Sequence, residues 1–183
     1  VQAEQRIVLC MHDTVAFPIC FLGAILAGVV PVPVNTRLTE KDYDFILADS
    51  RARVLVLSSE LMDAFKGHLD SHSNLHHVLI DGESTGPHQT LDSLIDAAPS
   101  DFQSAATKPD DMCFWLYTSG TTGMPKGAVH LHSHLVETAD LERVEEQEAS
   151  KLQVLGVGGV DRNVLFHTLK RNRTLRKAFK AFN

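Results

Sequence analysis

Short apolar runs alternate with segments of helical period along the first hundred residues, and this alternation limits the chain to few folds. In the helical segments apolar residues recur at positions i, i+3 and i+4, as Tyr43, Ile46 and Leu47 do. Strands rich in Val, Leu and Ile that are separated by helices indicate βαβ units on a mostly parallel sheet, the α/β class. The predicted strands span residues 7–11, 29–34, 53–58 and 77–81, and a helix is predicted at 91–97.

Residues 15–34 carry no charged side chain, and about 20 apolar residues are enough to cross a bilayer. Three prolines and one glycine interrupt this stretch, however, and such residues end helices. They are Pro18, Gly28, Pro31 and Pro33. We therefore predict a buried helix that ends near Gly28, followed by a buried strand, and we expect no membrane association.

Two helix starts can be predicted from capping residues. Asp13 or Thr14 precedes the helix in the uncharged stretch and is predicted to cap it. Thr39 is followed three residues later by Asp42, which predicts a capping box with Asp in place of the usual Glu or Gln.

The cysteines exclude two classes of small protein. Cys10, Cys20 and Cys113 are odd in number, far apart and not arranged as CxxC. This usage argues against a disulfide scaffold and against a zinc site, and it predicts reduced thiols in a cytoplasmic protein.

A loop rich in Gly, Ser and Thr follows the apolar run 112–117, and a strand-like pattern resumes at 127–132. We predict that the loop joins two buried strands. Glycines let backbone N–H groups approach an anion, hydroxyls donate to phosphate oxygens, and a lysine adds positive charge. The composition predicts a polyphosphate-binding loop, with a flexible polar surface loop as the alternative. The candidate residues are Thr118, Ser119, Gly120, Thr121, Thr122, Gly123 and Lys126.

The loop matches neither of two common nucleotide-binding patterns. A Walker A loop opens a helix and has Ser or Thr directly after its lysine, whereas Gly127 follows Lys126 here. The dinucleotide pattern GxGxxG is absent from the loop as well. The prediction of phosphate binding therefore depends on the residue types and not on either pattern.

The segment from Tyr117 to Gly127 resembles the phosphate-binding signature of the adenylate-forming superfamily. That superfamily includes acyl-CoA synthetases, the adenylation domains of peptide synthetases, and luciferases. Further stretches are most similar to its benzoate-CoA ligase branch, namely residues 12–14, 17–18, 21–24, 27–36 and 110–117. The resemblance spans roughly residues 5–141 and implies a partial N-terminal domain of an adenylate-forming enzyme.

The resemblance implies an AMP-forming carboxylate–CoA ligase that acts in two steps on an aromatic acid such as benzoate. The carboxylate attacks the α-phosphorus of ATP to give an acyl-adenylate and pyrophosphate, and coenzyme A then displaces AMP. The loop hydroxyls and Lys126 would hold the β- and γ-phosphates, with Mg²⁺ shared between phosphate oxygens and protein. The leaving pyrophosphate gathers negative charge, which fixed donors and a metal ion stabilise.

Alternating histidines raise the question of a metal site. His130, His132 and His134 would share one face if the strand continued through them. No other His, Cys or carboxylate shows ligand spacing, and the resemblance places His132 at a family histidine that leads into a helix. We therefore predict no metal site made of the chain's own side chains.

Beyond Leu141 the family pattern stops. Residues 162–183 contain seven basic residues and no acidic one, although the whole chain has a net charge of −6. We predict two parts: a partial N-terminal AMP-binding domain over 1–141, and a divergent tail over 142–183 that is helical or poorly ordered.

Several parts of a working ligase cannot be placed between Glu142 and Asn183. The family also requires an adenine motif, a ribose-binding aspartate, a hinge and a lysine on a small C-terminal domain. We therefore expect this chain to be a fragment that is inactive alone, with the acid, ATP and CoA as its partners and no nucleic acid. Two alternatives stay open: a catalytically inactive fragment that binds nucleotide phosphates, and an interaction protein whose basic tail binds polyanions.

Overall fold

Five parallel strands form the sheet on which the described part of the chain is built. The computed structural model describes residues 1–84, 86–99, 101, 103–118, 123–135 and 137. The strands follow the order β2-β1-β3-β4-β5, and every neighbouring pair is parallel. This confirms the predicted α/β fold of βαβ units. The strands are β1 (Arg6–Cys10), β2 (Val30–Pro33), β3 (Val54–Ser58), β4 (His77–Asp81) and β5 (Gln89–Thr90).

Among the described residues, three complete α-helices connect the strands of this sheet or follow them, and residues 132–135 after the last strand are also helical. The complete helices are α1 (Ala16–Leu26), α2 (Glu40–Ser50) and α3 (Leu91–Ala97), with 3₁₀ turns at Ser59–Ala64 and Leu69–Ser71. Helix α1 ends just before Gly28, which has a left-handed φ of 72°, as the interrupted apolar stretch predicts. Among the described residues, no helix has the length and apolar character needed to cross a membrane.

One of the two predicted caps is confirmed and the other is wrong. Thr39 Oγ1 accepts from the backbone N–H of Asp42, and Asp42 Oδ2 accepts from that of Thr39 at 3.1 Å, so α2 begins with a capping box. Helix α1 begins instead after Val15, with no side-chain cap. The Thr14 hydroxyl donates to Asp81 Oδ2 at 3.4 Å, which draws it away from the helix end and towards β4.

The core has two halves, one on each face of the sheet. Successive side chains of a strand point to opposite faces, so Ile7 and Leu9 pack with α1 and α3 while Val8 and Cys10 pack with α2. The α2 half also contains Phe65, which is 1% exposed and stacks on Tyr43 with 4.5 Å between ring centroids. Covering both faces is what a parallel sheet of this composition requires.

A hairpin of two antiparallel strands, β6 (Met112–Thr118) and β7 (Lys126–Leu131), lies beside β2. We predicted two buried strands here, and that prediction is wrong. In β6 only Cys113 is buried, and the first four residues of β7 are exposed. The physical reason is position: β6 has β2 on one side, whereas β7 is the outer strand of the hairpin. Residues 112–117 are apolar because this strand contacts β2 and packs against both halves of the core at the edge of the five-stranded sheet.

Candidate functional site

The hairpin carries the predicted phosphate loop between its two strands. Thr118 is the last residue of β6, Lys126 is the first of β7, and the two are paired across the hairpin. The structure therefore places the hydroxyl-bearing residue and the lysine on neighbouring strands at the base of the loop. Both residues are exposed, so an anion can reach them. The predictions for Ser119, Gly120, Thr121 and Thr122, like those for the tail 142–183, lie outside the described residues.

Gly123 stands on the returning side of the loop, with φ of 99°. Apart from its own chain neighbours, no heavy atom of the described residues lies within 4 Å of the position that a Cβ would take there. An exposed backbone with open space beside it is what close approach of an anion requires. The described part of the loop thus has the accessibility that a phosphate site needs, and the individual phosphate contacts stay a prediction.

A cavity of about 280 Å³ opens next to the base of the loop. One wall comes from the end of β6 and the returning side of the loop, and the other from the connection between β2 and the start of α2. Its lining residues are Val34, Asn35, Leu38, Asp42, Tyr117, Thr118, Gly123 and Pro125. Residues far apart in the sequence therefore meet beside Thr118, and the sequence analysis did not identify those of the β2–α2 connection.

Tyr117 connects the loop to the body of the protein. Its ring lies over Gly127, where an added Cβ would come within 3.2 Å of the ring carbon Cζ. Its hydroxyl donates to Asp49 Oδ2 at 2.5 Å. Burial, followed by the Asp49 carboxylate, raises the pKa of Tyr117 well above its ordinary value, so the hydroxyl keeps its proton and remains a donor. Sequence reasoning missed Asp49 because nothing local links residues this far apart.

Arg6 and Trp115 make a second connection on the same side of β6. The Arg6 guanidinium carbon lies 5.4 Å from the centre of the Trp115 ring, a cation–π arrangement. Arg6 Nε also donates to the carbonyl oxygen of Ser50, the last residue of α2, at 2.6 Å. Partial burial, followed by the charges of Arg51 and Arg53, lowers the pKa of Arg6 from its ordinary value. Arg6 thereby ties β1, α2 and β6 together.

The alternating histidines do not extend along one strand. Strand β7 ends at Leu131, whose N–H donates to His134 Nδ1 at 3.2 Å. His130 stacks on Phe114 with ring centroids 4.5 Å apart, and burial lowers the pKa of His132 despite the opposing charge of Asp111. In the part of the chain that the structure describes, no cluster of three or more His, Cys, Asp or Glu side chains is arranged to hold a metal ion.

The cysteines are buried and unpaired. Burial raises the pKa of Cys10 and of Cys113 to about 11, and it raises the pKa of Cys20 as well. Since the thiolate is the reactive form, these thiols are packing groups and not nucleophiles.

A sequence model of the family described as AMP-binding enzyme matches residues 1–167. The chain belongs to the AMP-binding enzyme family. It is 46% identical over 140 residues to a benzoate–CoA ligase from Thauera aromatica, and the aligned region covers 76% of this chain and 26% of that protein. It is 44% identical over 133 residues to a 4-hydroxybenzoate–CoA/benzoate–CoA ligase from Rhodopseudomonas palustris, covering 73% of this chain and 25% of that protein. The resemblance to adenylate-forming enzymes is thus confirmed.

Solved structures agree on the fold. A benzoate CoA ligase from Burkholderia xenovorans matches with a TM-score of 0.67 and 42% identity, over 77% of this chain and 27% of that one. The anthranilate CoA ligase AuaEII, solved with anthranoyl-AMP, matches with a TM-score of 0.70 and 30% identity, over 72% and 26% of the two chains. The chain spans about a quarter of the length of the relatives that it matches.

Proposed function

We propose that this chain is the N-terminal part of an AMP-forming carboxylate–CoA ligase that acts on an aromatic acid. In this proposal residues 1–141 belong to the AMP-binding domain and residues 142–183 form a divergent tail, the first part of which still lies within the family match that ends at residue 167. The observation that carries the proposal is the hairpin, which presents Thr118 and Lys126, both exposed, side by side at the two ends of a loop whose sequence is rich in Gly, Ser and Thr.

The loop would bind the triphosphate of ATP. Lys126 and the hydroxyls of Thr118, Ser119, Thr121 and Thr122 would hold the β- and γ-phosphates, while Gly120 and Gly123 admit them close to the backbone. Thr118 is exposed, and a hydroxyl oxygen beside a phosphate suits Mg²⁺, which prefers oxygen ligands and keeps part of its hydration shell. A bound Mg²⁺ would supply positive charge that stabilises the departing pyrophosphate.

The acyl substrate is inferred from the relatives. Those with 46% and 44% identity are ligases for benzoate or 4-hydroxybenzoate, and the matching structure with anthranoyl-AMP is also that of an aromatic-acid ligase. A long-chain-fatty-acid–CoA ligase from Mycobacterium tuberculosis has 35% identity, which is less than that of the two benzoate ligases and more than the 30% of the anthranilate ligase. The two benzoate ligases therefore carry the inference of an aromatic carboxylate, with coenzyme A as the acceptor of the acyl group.

The binding of ATP tests the role of the loop. In Lys126→Ala we expect ATP affinity, measured by calorimetry with and without Mg²⁺, to fall about 10- to 150-fold, the equivalent of roughly 1.5–3 kcal/mol for a charge-assisted contact. Because Lys126 is exposed, the lower end of that range is the expected result. Lys66→Ala is the matched control, since it removes an exposed lysine that pairs with Asp63 away from the hairpin. Equal ATP affinity in all three proteins would refute the phosphate-binding role.

Turnover tests the expectation that this chain is inactive alone. Because the chain spans about a quarter of its relatives, we expect the purified 183-residue chain to release no AMP from ATP, benzoate and coenzyme A. Steady AMP release by the chain alone would contradict this expectation. Polyanion binding that weakens steeply with salt, and that disappears when residues 162–183 are removed, would favour the basic-tail alternative.

A further inference from the structure

A hydrogen bond made by Tyr117, which is not one of the proposed phosphate ligands, connects the end of strand β6 to the rest of the protein. Tyr117 immediately precedes Thr118, so its position sets where the loop begins. Its hydroxyl donates to Asp49 Oδ2 at 2.5 Å, and Asp49 lies in the last turn of α2. We call this hydrogen bond the Asp49–Tyr117 contact.

The same tyrosine also touches the strand that leaves the loop. Tyr117 pairs with Gly127 across the hairpin, and its ring fills the space where a side chain at Gly127 would stand. An added Cβ at Gly127 would meet two ring carbons of Tyr117 at 3.2 and 3.4 Å and its hydroxyl oxygen at 3.5 Å. One side chain therefore lies against both strands at the base of the loop, and it is held from outside the hairpin by Asp49.

The hairpin requires contacts with the rest of the protein to be stable. A two-stranded hairpin is marginally stable by itself, and the first four residues of β7 are exposed. The side chains of Trp115 and Tyr117 pack against the α2 half of the core, and Arg6 covers the Trp115 ring. Of these contacts, the one with Asp49 is nearest to the loop.

We propose that Asp49 is a positioning residue for the phosphate loop. By holding the Tyr117 hydroxyl it keeps the end of β6 in one place, so that the Thr118 hydroxyl and the Lys126 ammonium group face the same triphosphate. Asp49 itself touches no phosphate in this proposal. The inference rests on the proposed function for the identity of the ligand, while the positioning of the strand end is tested separately.

The first measurement is hydrogen exchange in the 183-residue chain without ligand. In Asp49→Ala and in Tyr117→Phe we expect the amides of Thr118, Gly123, Met124 and Lys126 to exchange about three- to tenfold faster, the factor expected for losing one hydrogen bond. Exchange in β3 should not change. The double variant should be no faster than either single one, since both remove the same bond.

Two variants of α2 serve as matched controls. Tyr43→Phe removes a hydroxyl that donates to the Asn35 carbonyl oxygen at 2.9 Å, and Asp44→Ala removes a carboxylate that contacts His68 and His72. Neither group contacts β6 through these bonds, so the exchange of the loop amides should stay as in the unsubstituted chain.

The second measurement is affinity for inorganic tripolyphosphate and for ATP. We expect both dissociation constants to rise about three- to tenfold in Asp49→Ala, and Asp49→Asn to recover much of the loss because its amide oxygen still accepts the hydrogen bond. A role limited to stability would not show this rescue pattern in ligand affinity at temperatures well below unfolding.

Each outcome decides a specific point. Unchanged exchange at Thr118 in Asp49→Ala would overturn the proposal, and so would an increase of equal size in β3, which would mean general destabilisation. Faster exchange at the loop with unchanged triphosphate affinity would overturn it too. If the unsubstituted chain and Lys126→Ala both fail to bind triphosphate, the proposed function is wrong. The exchange data alone then support or refute the role of the Asp49–Tyr117 contact in positioning the end of β6.

Discussion

Replacing Gly28 by alanine tests the packing of the turn between α1 and β2. Gly28 has φ of 72°, a left-handed conformation that L side chains rarely adopt. An added Cβ would lie 2.9 Å from the Cβ of Ala105, which is closer than real Cβ contacts. Ala105 is itself held, since its N–H donates to the carbonyl oxygen of Leu26 at 2.9 Å. The turn therefore resists a side chain for two separate reasons.

The magnitude follows from three contributions. The left-handed backbone is unfavourable for alanine by about 1–2 kcal/mol. Forcing an extra methyl group into a filled site adds about 1–3 kcal/mol. Alanine also lowers the conformational entropy of the unfolded chain, which by itself raises the free energy of unfolding by about 0.4–1 kcal/mol. We therefore expect Gly28→Ala to lower the free energy of unfolding by about 1–4.5 kcal/mol.

Urea unfolding followed by far-UV circular dichroism measures this change, and two further variants separate its causes. Gly67 has neither a positive φ nor an atom within 4 Å of an added Cβ, so Gly67→Ala should be neutral or slightly stabilising. Combining Gly28→Ala with Ala105→Gly removes the clashing methyl group and should recover the packing part, leaving the backbone strain. Unfolding of Gly28→Ala at the same urea concentration as Gly67→Ala would mean that neither the backbone strain nor the clash with Ala105 destabilises the fold.

Two further predictions concern a partly buried carboxylate and a buried aromatic ring. Burial raises the pKa of Asp81 despite its bonds with Thr14 and Ser58, so its carboxylate opposes folding increasingly as pH rises from about 3.9 through the higher folded-state value. Asp81→Asn keeps both acceptor contacts, and its stability relative to the unsubstituted chain should be greater at pH 7 than at pH 3.5 in urea unfolding; an equal difference at both values would contradict this. Phe65→Ala should lower the free energy of unfolding by about 3–5 kcal/mol, because it leaves a cavity beside Tyr43, and a loss below 1 kcal/mol would show that the site collapses.

Local patterns in the sequence were enough to predict most elements of the sheet. The strand at His77–Asp81 and the helix at Leu91–Ala97 have the predicted bounds. The capping box at Thr39 was predictable because both partners lie three residues apart, and the end of α1 near Gly28 because a glycine there permits a left-handed turn. These features depend on interactions between residues that are close in the sequence, so the order of residues is enough to predict them.

Predictions failed where a distant part of the chain competes with a local one. Thr14 is a good helix cap by type, but its hydroxyl contacts Asp81 and the helix begins without a side-chain cap. An apolar run such as 112–117 predicts a strand, but it does not show how many other strands lie beside it. The sequence therefore could not show that β7, the partner of this strand in the hairpin, is exposed.

The sequence by itself determined the α/β class and most of the succession of strands and helices along the chain, and it predicts a phosphate-binding loop between Tyr117 and Gly127. Only the tertiary structure decided that α2 reaches the end of β6, and so made Asp49 a partner of Tyr117. The physical reason is that hydrogen bonds and packing act over a few ångströms in space. Which residues come that close depends on how the sheet, its helices and the hairpin pack together.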